Sequence, residues 1–468
     1  MNSLDGPRKD TIESLQKQID FYFGEIYRLK RTQNSHVAIS RLPAEMLSEI
    51  FLYVVEDGIE NAVRFAAGTF NFLQICKRWN EVAINFPRLW VWWIPGAVKA
   101  WPLFNTRAKN APLFLTVRSY VPILTKDAVM NPAIPRKIHQ LDFAGTQQQL
   151  VDFLDAIGSN PPSNAWSIRL QVPPSNYSKL LEHLARFLSS PFPKLSKLDI
   201  EDFTPDSTSP IFTTSNLTSL KLSLSLTGKF RYTLSQFSQI LQHHPNLREL
   251  DLQQSGTTVP EPSGPLVPLV LPRLVDLRLY STEPTITGLI DLIGVSSPLH
   301  NVVIHFQNGY TLTPSLTNTM KKILAAYHGC AGLDSPRTVN HLSISSRLLE
   351  GGLTIDAESH STSASQPMSN LRLQFDRTWD GLVGKILPLF QLNHVREFTV
   401  TRLGLVTGDW RRMFRKMKRL LCLQLDSLDI NPALEALCFD DPGVYKEATK
   451  TSLSHLRRYR QPVSTVCP

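Results

Sequence analysis

The pattern apolar-x-x-apolar-x-apolar recurs eleven times between residues 138 and 425, and it constrains the fold more than any other feature of the chain. It appears at Ile138-Leu141-Phe143, in a degenerate copy at Ala165-Ile168-Leu170, and at Leu195-Leu198-Ile200, Leu217-Leu220-Leu222, Leu247-Leu250-Leu252 and Leu274-Leu277-Leu279. It continues at Leu299-Val302-Ile304, Val339-Leu342-Ile344, Met368-Leu371-Leu373, Val395-Phe398-Val400 and Leu420-Leu423-Leu425. From first residue to first residue the steps are 27, 30, 22, 30, 27, 25, 40, 29, 27 and 25. One such hexad means little, but a near-constant period means stacking: each copy supplies a short strand whose alternate apolar side chains share a core, and the intervening stretch returns the chain outside it.

Stretches 177–188, 234–243, 286–293 and 316–327 carry the 3.6-residue apolar rhythm of helices. Prolines at Pro191, Pro193, Pro245 and Pro272 stop the helix just before several strands. This period and hexad are those of a leucine-rich repeat. The expected fold class is α/β, an irregular leucine-rich-repeat solenoid over 138–468 whose curved parallel sheet has helices outside, preceded by a junction and first repeat at 96–137 that includes a strand near 113–117. Stretches 255–269, 305–314 and 351–367 break the rhythm and are read as loops, either recognition surfaces on a rigid scaffold or simple disorder.

Residues 1–35 predict an amphipathic, coiled-coil-like helix, because Ile12, Leu15, Ile19, Tyr22, Ile26 and Leu29 alternate at spacings of three and four. Asp10 and Glu13 have the spacing of a capping box at its start. The stripe either packs on the chain's own core or mediates self-association.

Over 36–95 a run opens Leu42-Pro43-Ala-Glu45-Met46-Leu47-Ser-Glu-Ile50-Phe51, with proline near a helix start, where its missing N–H is harmless. Met46, Leu47, Ile50, Phe51 and Val54 make an apolar face wider than one stripe. A second helical segment, 72–83, carries Leu73, Cys76, Trp79 and Val82 on its own face, and a third helix is expected near 59–70. Such faces should meet each other and a partner. Trp90, Trp92, Trp93 and Trp101 follow closely and suit the junction to whatever comes next.

The segments LPAEMLSEIF, FLQICKRW and FPRLW resemble the F-box-like domain of mushroom-forming fungi. The resemblance covers about sixty residues and implies a small N-terminal helical bundle that binds a Skp-family adaptor and through it a cullin scaffold. It implies adaptor contacts at Leu42, Pro43, Glu45, Leu47, Ile50, Phe51, Trp79 and Val82, Trp79 being equally suited to internal core.

Chemistry-bearing motifs are missing from the sequence: no HExxH, GxSxG, GxGxxG or paired-cysteine signature occurs, and the glycines of Gly381-Leu-Val-Gly384-Lys385 are too close for a phosphate loop. His243-His244 reads as a satisfied surface pair rather than a metal site. Five scattered cysteines suit reduced thiols. With no signal-peptide pattern and no long apolar run, a cytoplasmic or nuclear protein is expected, away from membranes, and the two glycosylation sequons are discounted.

A net charge of +9 spread along 468 residues says little about partners. The densest basic run is Arg411, Arg412, Arg415, Lys416, Lys418 and Arg419 around Met413, Phe414 and Met417, read as six charges on one helix that could hold an anionic partner or merely face solvent. No nucleic acid is expected, for no aromatic platform interleaves with the run. The combined expectation is a non-enzymatic, cofactor-free substrate receptor of a Skp-cullin-F-box ubiquitin ligase, its repeats holding an unknown protein target. The alternative is a repeat scaffold without a role in degradation.

Overall fold

Each of the eleven hexads ends in a β-strand in the computed structural model, which describes residues 6–60, 70–93, 101–118, 136–157, 161–171, 178–213, 216–224, 232–254, 268–294, 299–307, 314–328, 339, 341–347, 352–359, 369–375, 383, 386–390, 392–401, 403, 405–426, 432–433 and 435–436. The chain divides into two compact units, Met1–Pro162 and Ser163–Pro468, so the first hexad belongs to the N-terminal unit.

That unit begins with helix α1 (Gly6–Ser35), a 3-10 turn at Ala38–Arg41 and helix α2 (Ala44–Glu60). α1 starts a turn before Asp10, which is therefore internal and not a cap; Pro7 sits in the first turn, where a helix tolerates it. The expected second helix is broken. Asn71–Gln74 is a 3-10 turn, Cys76 is extended, and only Lys77–Ile84 (α3) is helical. The Asn80 side chain bridges the break by donating to the Leu73 carbonyl at 3.0 Å. The third helix expected near 59–70 falls largely outside the described residues.

A 3-10 turn at Pro87–Trp90 leads to β1 (Trp92–Trp93), α4 (Trp101–Ala108), β2 (Leu113–Arg118), β3 (Ile138–Ala144) and α5 (Gln147–Ile157). The three strands pair in parallel in chain order. Trp90 is buried, donates its indole N–H to the Ala83 carbonyl at 2.8 Å, stacks on Phe70 and meets Phe104 edge-on, while Trp92 stacks on Phe114. Trp90 thus packs among helical segments and Trp92 against a strand; the side chains of Trp93 and Trp101 are not among those described.

The second unit carries β4 (Ser167–Gln171), α6 (Ser178–Leu188), β5 (Lys197–Glu201), α7 (Pro210–Thr213), β6 (Ser219–Leu224), α8 (Leu234–Gln242), β7 (Glu249–Gln254), β8 (Leu269–Val270) and β9 (Asp276–Thr282). Then come α9 (Glu283–Leu292), β10 (Ile293–Gly294), β11 (Asn301–Gln307), α10 (Pro314–His328), β12 (His341–Arg347), β13 (Gly352–Ser359), β14 (Ser369–Phe375), β15 (Glu397–Thr401), α11 (Thr407–Lys416) and β16 (Cys422–Asp426). The short β8 and β10 pair with each other, and the rest form one large, mostly parallel sheet. In most copies the last two apolar residues are fully buried, from Ile168 and Leu170 to Phe398 and Val400, whereas Leu423 and Leu425 in the final strand are half-buried.

A recurrent backbone feature holds the copies in step. The Trp166 carbonyl accepts N–H bonds from both Ser196 and Lys197, Ser196 does the same for Thr218 and Ser219, Thr218 for Arg248 and Glu249, and Arg248 for Val275 and Asp276. The helices between strands also meet. α8 approaches α9 closely at Gly288, where a Cβ would collide with the Leu234 side chain, and Thr319 of α10 donates to Thr287 of α9 at 3.0 Å.

The uniformly parallel order fails between β11 and β15. The strand order there is β11-β14-β13-β12-β15, with β13 antiparallel to both neighbours. Only four residues separate Arg347 from Gly352, and a parallel pair needs a crossover of about a dozen or more, so the chain must turn straight back. Consequently 352–359, expected as part of a loop, is a strand, with Leu353, Ile355 and Ala357 buried. The rest of that stretch, and most of 255–269 and 305–314, lie outside the described residues.

Candidate functional site

In the N-terminal unit the site-forming element is α2, whose apolar arc is wider than its own unit can cover. Leu47, Phe51, Leu52 and Val55 are buried. Phe51 stacks on Phe72 with centroids 4.5 Å apart and meets the Trp79 ring at 5.1 Å. Further around the helix, Met46, Ile50, Tyr53 and Val54 are 37–76% exposed. Exposed Pro43, whose carbonyl accepts the N–H of Leu47, continues that stripe at a spacing of three from Met46. At about 100° per residue these positions span a quarter or more of the circumference beside the buried arc.

The expected contact set therefore divides. Leu47 and Phe51 are core and offer no surface; Leu42, Trp79 and Val82 are half-buried; Pro43, Glu45 and Ile50 are exposed. Hydrophobic periodicity could not separate Leu47 from Ile50, since both lie on one broad apolar arc. Met46, Tyr53 and Val54, absent from the expected set, complete the exposed stripe. On the other side of α2 a groove of about 470 Å³ is lined by Ala44, Glu45, Ser48, Glu49, Glu81, Val82, Asn85 and Phe86. Arg88 reaches Glu49 at 3.6 Å and Lys77 reaches Glu81 at 3.4 Å, so the groove is acidic and partly compensated.

In the second unit the middle residue of each strand lies opposite its counterpart in the next, and reading across gives Arg169, Asp199, Lys221, Asp251 and Arg278. The sign alternates at every step, which is the favourable arrangement for cross-strand neighbours. Asp199 takes Arg169 at 3.3 Å and Lys221 at 3.6 Å; Glu201 takes Arg169 at 3.1 Å and Lys221 at 3.0 Å. Burial raises the Asp199 and Asp251 carboxyls above their ordinary range despite nearby cations. At Glu201 burial pushes the same way, but hydrogen bonds from Lys221 and Arg169 outweigh it and hold the group lower.

The alternation stops at Val303, and a cavity of about 520 Å³ opens there, lined by Arg278, Tyr280, Asn301, Val303, Asn370 and Arg372 among others. Arg372 is held by Asp356 at 2.6 Å, and the partly buried Tyr280 meets the His305 ring edge-on at 5.6 Å. Arg278 is exposed and makes no hydrogen bond or ion pair among the described residues; it shares the field of the Asp251 and Asp276 carboxylates. With Asp356 and Glu358 also in the lining, two carboxylates stand against two guanidiniums, and the cavity suits a polar, hydrogen-bonding guest. The signal was present in the hexads, because the residue between the last two apolar positions is the one that faces outward.

The basic run does not form one helical face. α11 ends at Lys416, so Lys418 and Arg419 lie on the turn that follows; Arg411 is half-buried, and Arg412 is tied to Asp409 at 2.6 Å. Arg415, Lys416, Lys418 and Arg419 are exposed, while Met413, Phe414 and Met417 are buried as expected. His244 is not a surface residue: it is fully buried, both its ring nitrogens lack a partner among the described residues, and burial, reinforced by the neighbouring His243, lowers it to about 4. Among the described residues there is no cluster of three His, Cys, Asp or Glu able to hold a metal, no helix long and apolar enough to cross a membrane, and Cys76 and Cys422 are free thiols. Comparison of the chain with protein-family models and with curated proteins returned no match.

Proposed function

We propose that this chain is a substrate receptor that docks on a Skp-family adaptor through α2 and presents a protein target to a cullin-based ubiquitin ligase. The observation that carries the reading is the exposed apolar stripe of Pro43, Met46, Ile50, Tyr53 and Val54. A folded domain gains nothing by leaving such a stripe in water, and contiguous exposed apolar surface marks interaction sites. It coincides with the segment whose LPAEMLSEIF resembles an F-box-like opening, and the half-buried Leu42 and Trp79 lie around it. Leu47 and Phe51 act indirectly, by fixing the helix that bears the stripe.

The target is held by the outward face of the second unit's sheet, where the cavity beside Arg278 and Tyr280 interrupts a self-neutralising row of charges. The chain binds and other subunits transfer. The test is co-purification of the full chain with a Skp-family adaptor. Met46→Asp, Ile50→Asp and Val54→Asp together should abolish recovery while leaving thermal melting within a few degrees of the parent, because all three face water already. Equal recovery of parent and triple variant would sink the reading.

A further inference from the structure

Helix α1 runs for 30 residues, about 45 Å, and among the described residues its neighbour is chiefly the 3-10 turn Ala38–Arg41 that follows it. Its stripe does not pack on the chain's own core. Ile12, Leu15, Ile19, Tyr22, Ile26 and Leu29 are 46–65% exposed. Their spacings, three then four throughout, place Ile12, Ile19 and Ile26 at one core position of a heptad and Leu15, Tyr22 and Leu29 at the other. β-Branched residues at the first position with leucine at the second are the combination that favours two parallel strands.

In that register Glu25 and Lys30 occupy the flanking positions that face each other between parallel partners, and their charges are complementary. Glu25 presently holds Arg28 at 3.0 Å, an exposed pair that can exchange. Phe23 flanks the seam and adds to the surface a partner would cover, whereas Phe21 and Tyr27 lie off it. The polar side of the helix mixes Glu13, Asp20 and Glu25 with Lys17, Arg28, Lys30 and Arg31, which does not suit an anionic lipid surface. From this geometry we infer that two copies of the chain associate through α1 as a parallel, in-register coiled coil. The inference is independent of the adaptor-docking reading.

Light scattering on the full chain tests it. The parent should give twice the 52.8 kDa of one chain at micromolar concentrations, and Ile19→Asp with Ile26→Asp should halve that mass without changing the melting of the remainder. Glu25→Lys alone should weaken association, and adding Lys30→Glu should restore it. Under oxidation, Leu15→Cys and Leu29→Cys chains should each cross-link to their own kind and, when mixed, not to each other. A single-chain mass for the parent, a double mass that survives both aspartates, cross-links between positions 15 and 29, or capture of single chains by anionic vesicles would each overturn the proposal.

Discussion

Phe51 and Ile50 are adjacent in sequence and opposite in duty. Phe51 is enclosed between Phe72 and Trp79, so Phe51→Ala should cost about 3–5 kcal/mol in urea unfolding, the usual range for a buried ring. Ile50→Ala should change stability by roughly 0.5 kcal/mol or less while weakening adaptor recovery. His244 is decided by burial as well. Its folded value, about 4, lies below the unfolded 6.5, so the fold prefers the neutral ring. The associated stability is complete above about pH 6.5 and is lost as pH falls toward 4, by up to roughly 3 kcal/mol. Urea midpoints at pH 7.5 and 4.5 should diverge more for the parent than for His244→Leu, which has no ring to protonate; equal divergence would assign the acid sensitivity to other groups.

At the scale of elements, the strands carry their information in two interleaved registers. The inward register is apolar and fixes the stacking; the outward one pairs charges, with Asp199 and Glu201 each held between Arg169 and Lys221. Lys221→Ala leaves both carboxylates to Arg169 alone and should cost roughly 1–3 kcal/mol at neutral pH, measured by chemical denaturation. Arg278→Gln breaks no hydrogen bond or ion pair among the described residues and, unlike a charge reversal, sets no carboxylate opposite Asp251, so it should cost about 1 kcal/mol or less and weaken target capture, as read by proximity labelling in cells. The hexads made eleven strands legible because each depends on a pair of apolar residues two apart. The helices of 178–188 and 234–242 were legible for the same local reason. β13 was missed although Leu353, Ile355 and Ala357 alternate with Thr354, Asp356 and Glu358, because its partners come from hairpin pairing and not from the repeat period. The α1 seam could be read from sequence; what it failed to touch could not.

At the scale of the whole molecule, the second unit holds both strands that local pattern reveals and neighbours that long-range pairing decides. Copies from β5 to β11 pair with the copy made just before them, so each can dock as it is formed. β11 is different. The strand that covers its free edge is β14, and between Gln307 and Ser369 some sixty residues must first be made. At about 5–20 residues per second a ribosome needs roughly 3–12 seconds for that length, during which the amides and carbonyls of Asn301–Gln307 stand open to any extended segment nearby. Synthesis therefore contains a vulnerable interval once residue 307 has been made, and nascent chains arrested between residues 307 and 369 should be those on which holdase chaperones accumulate.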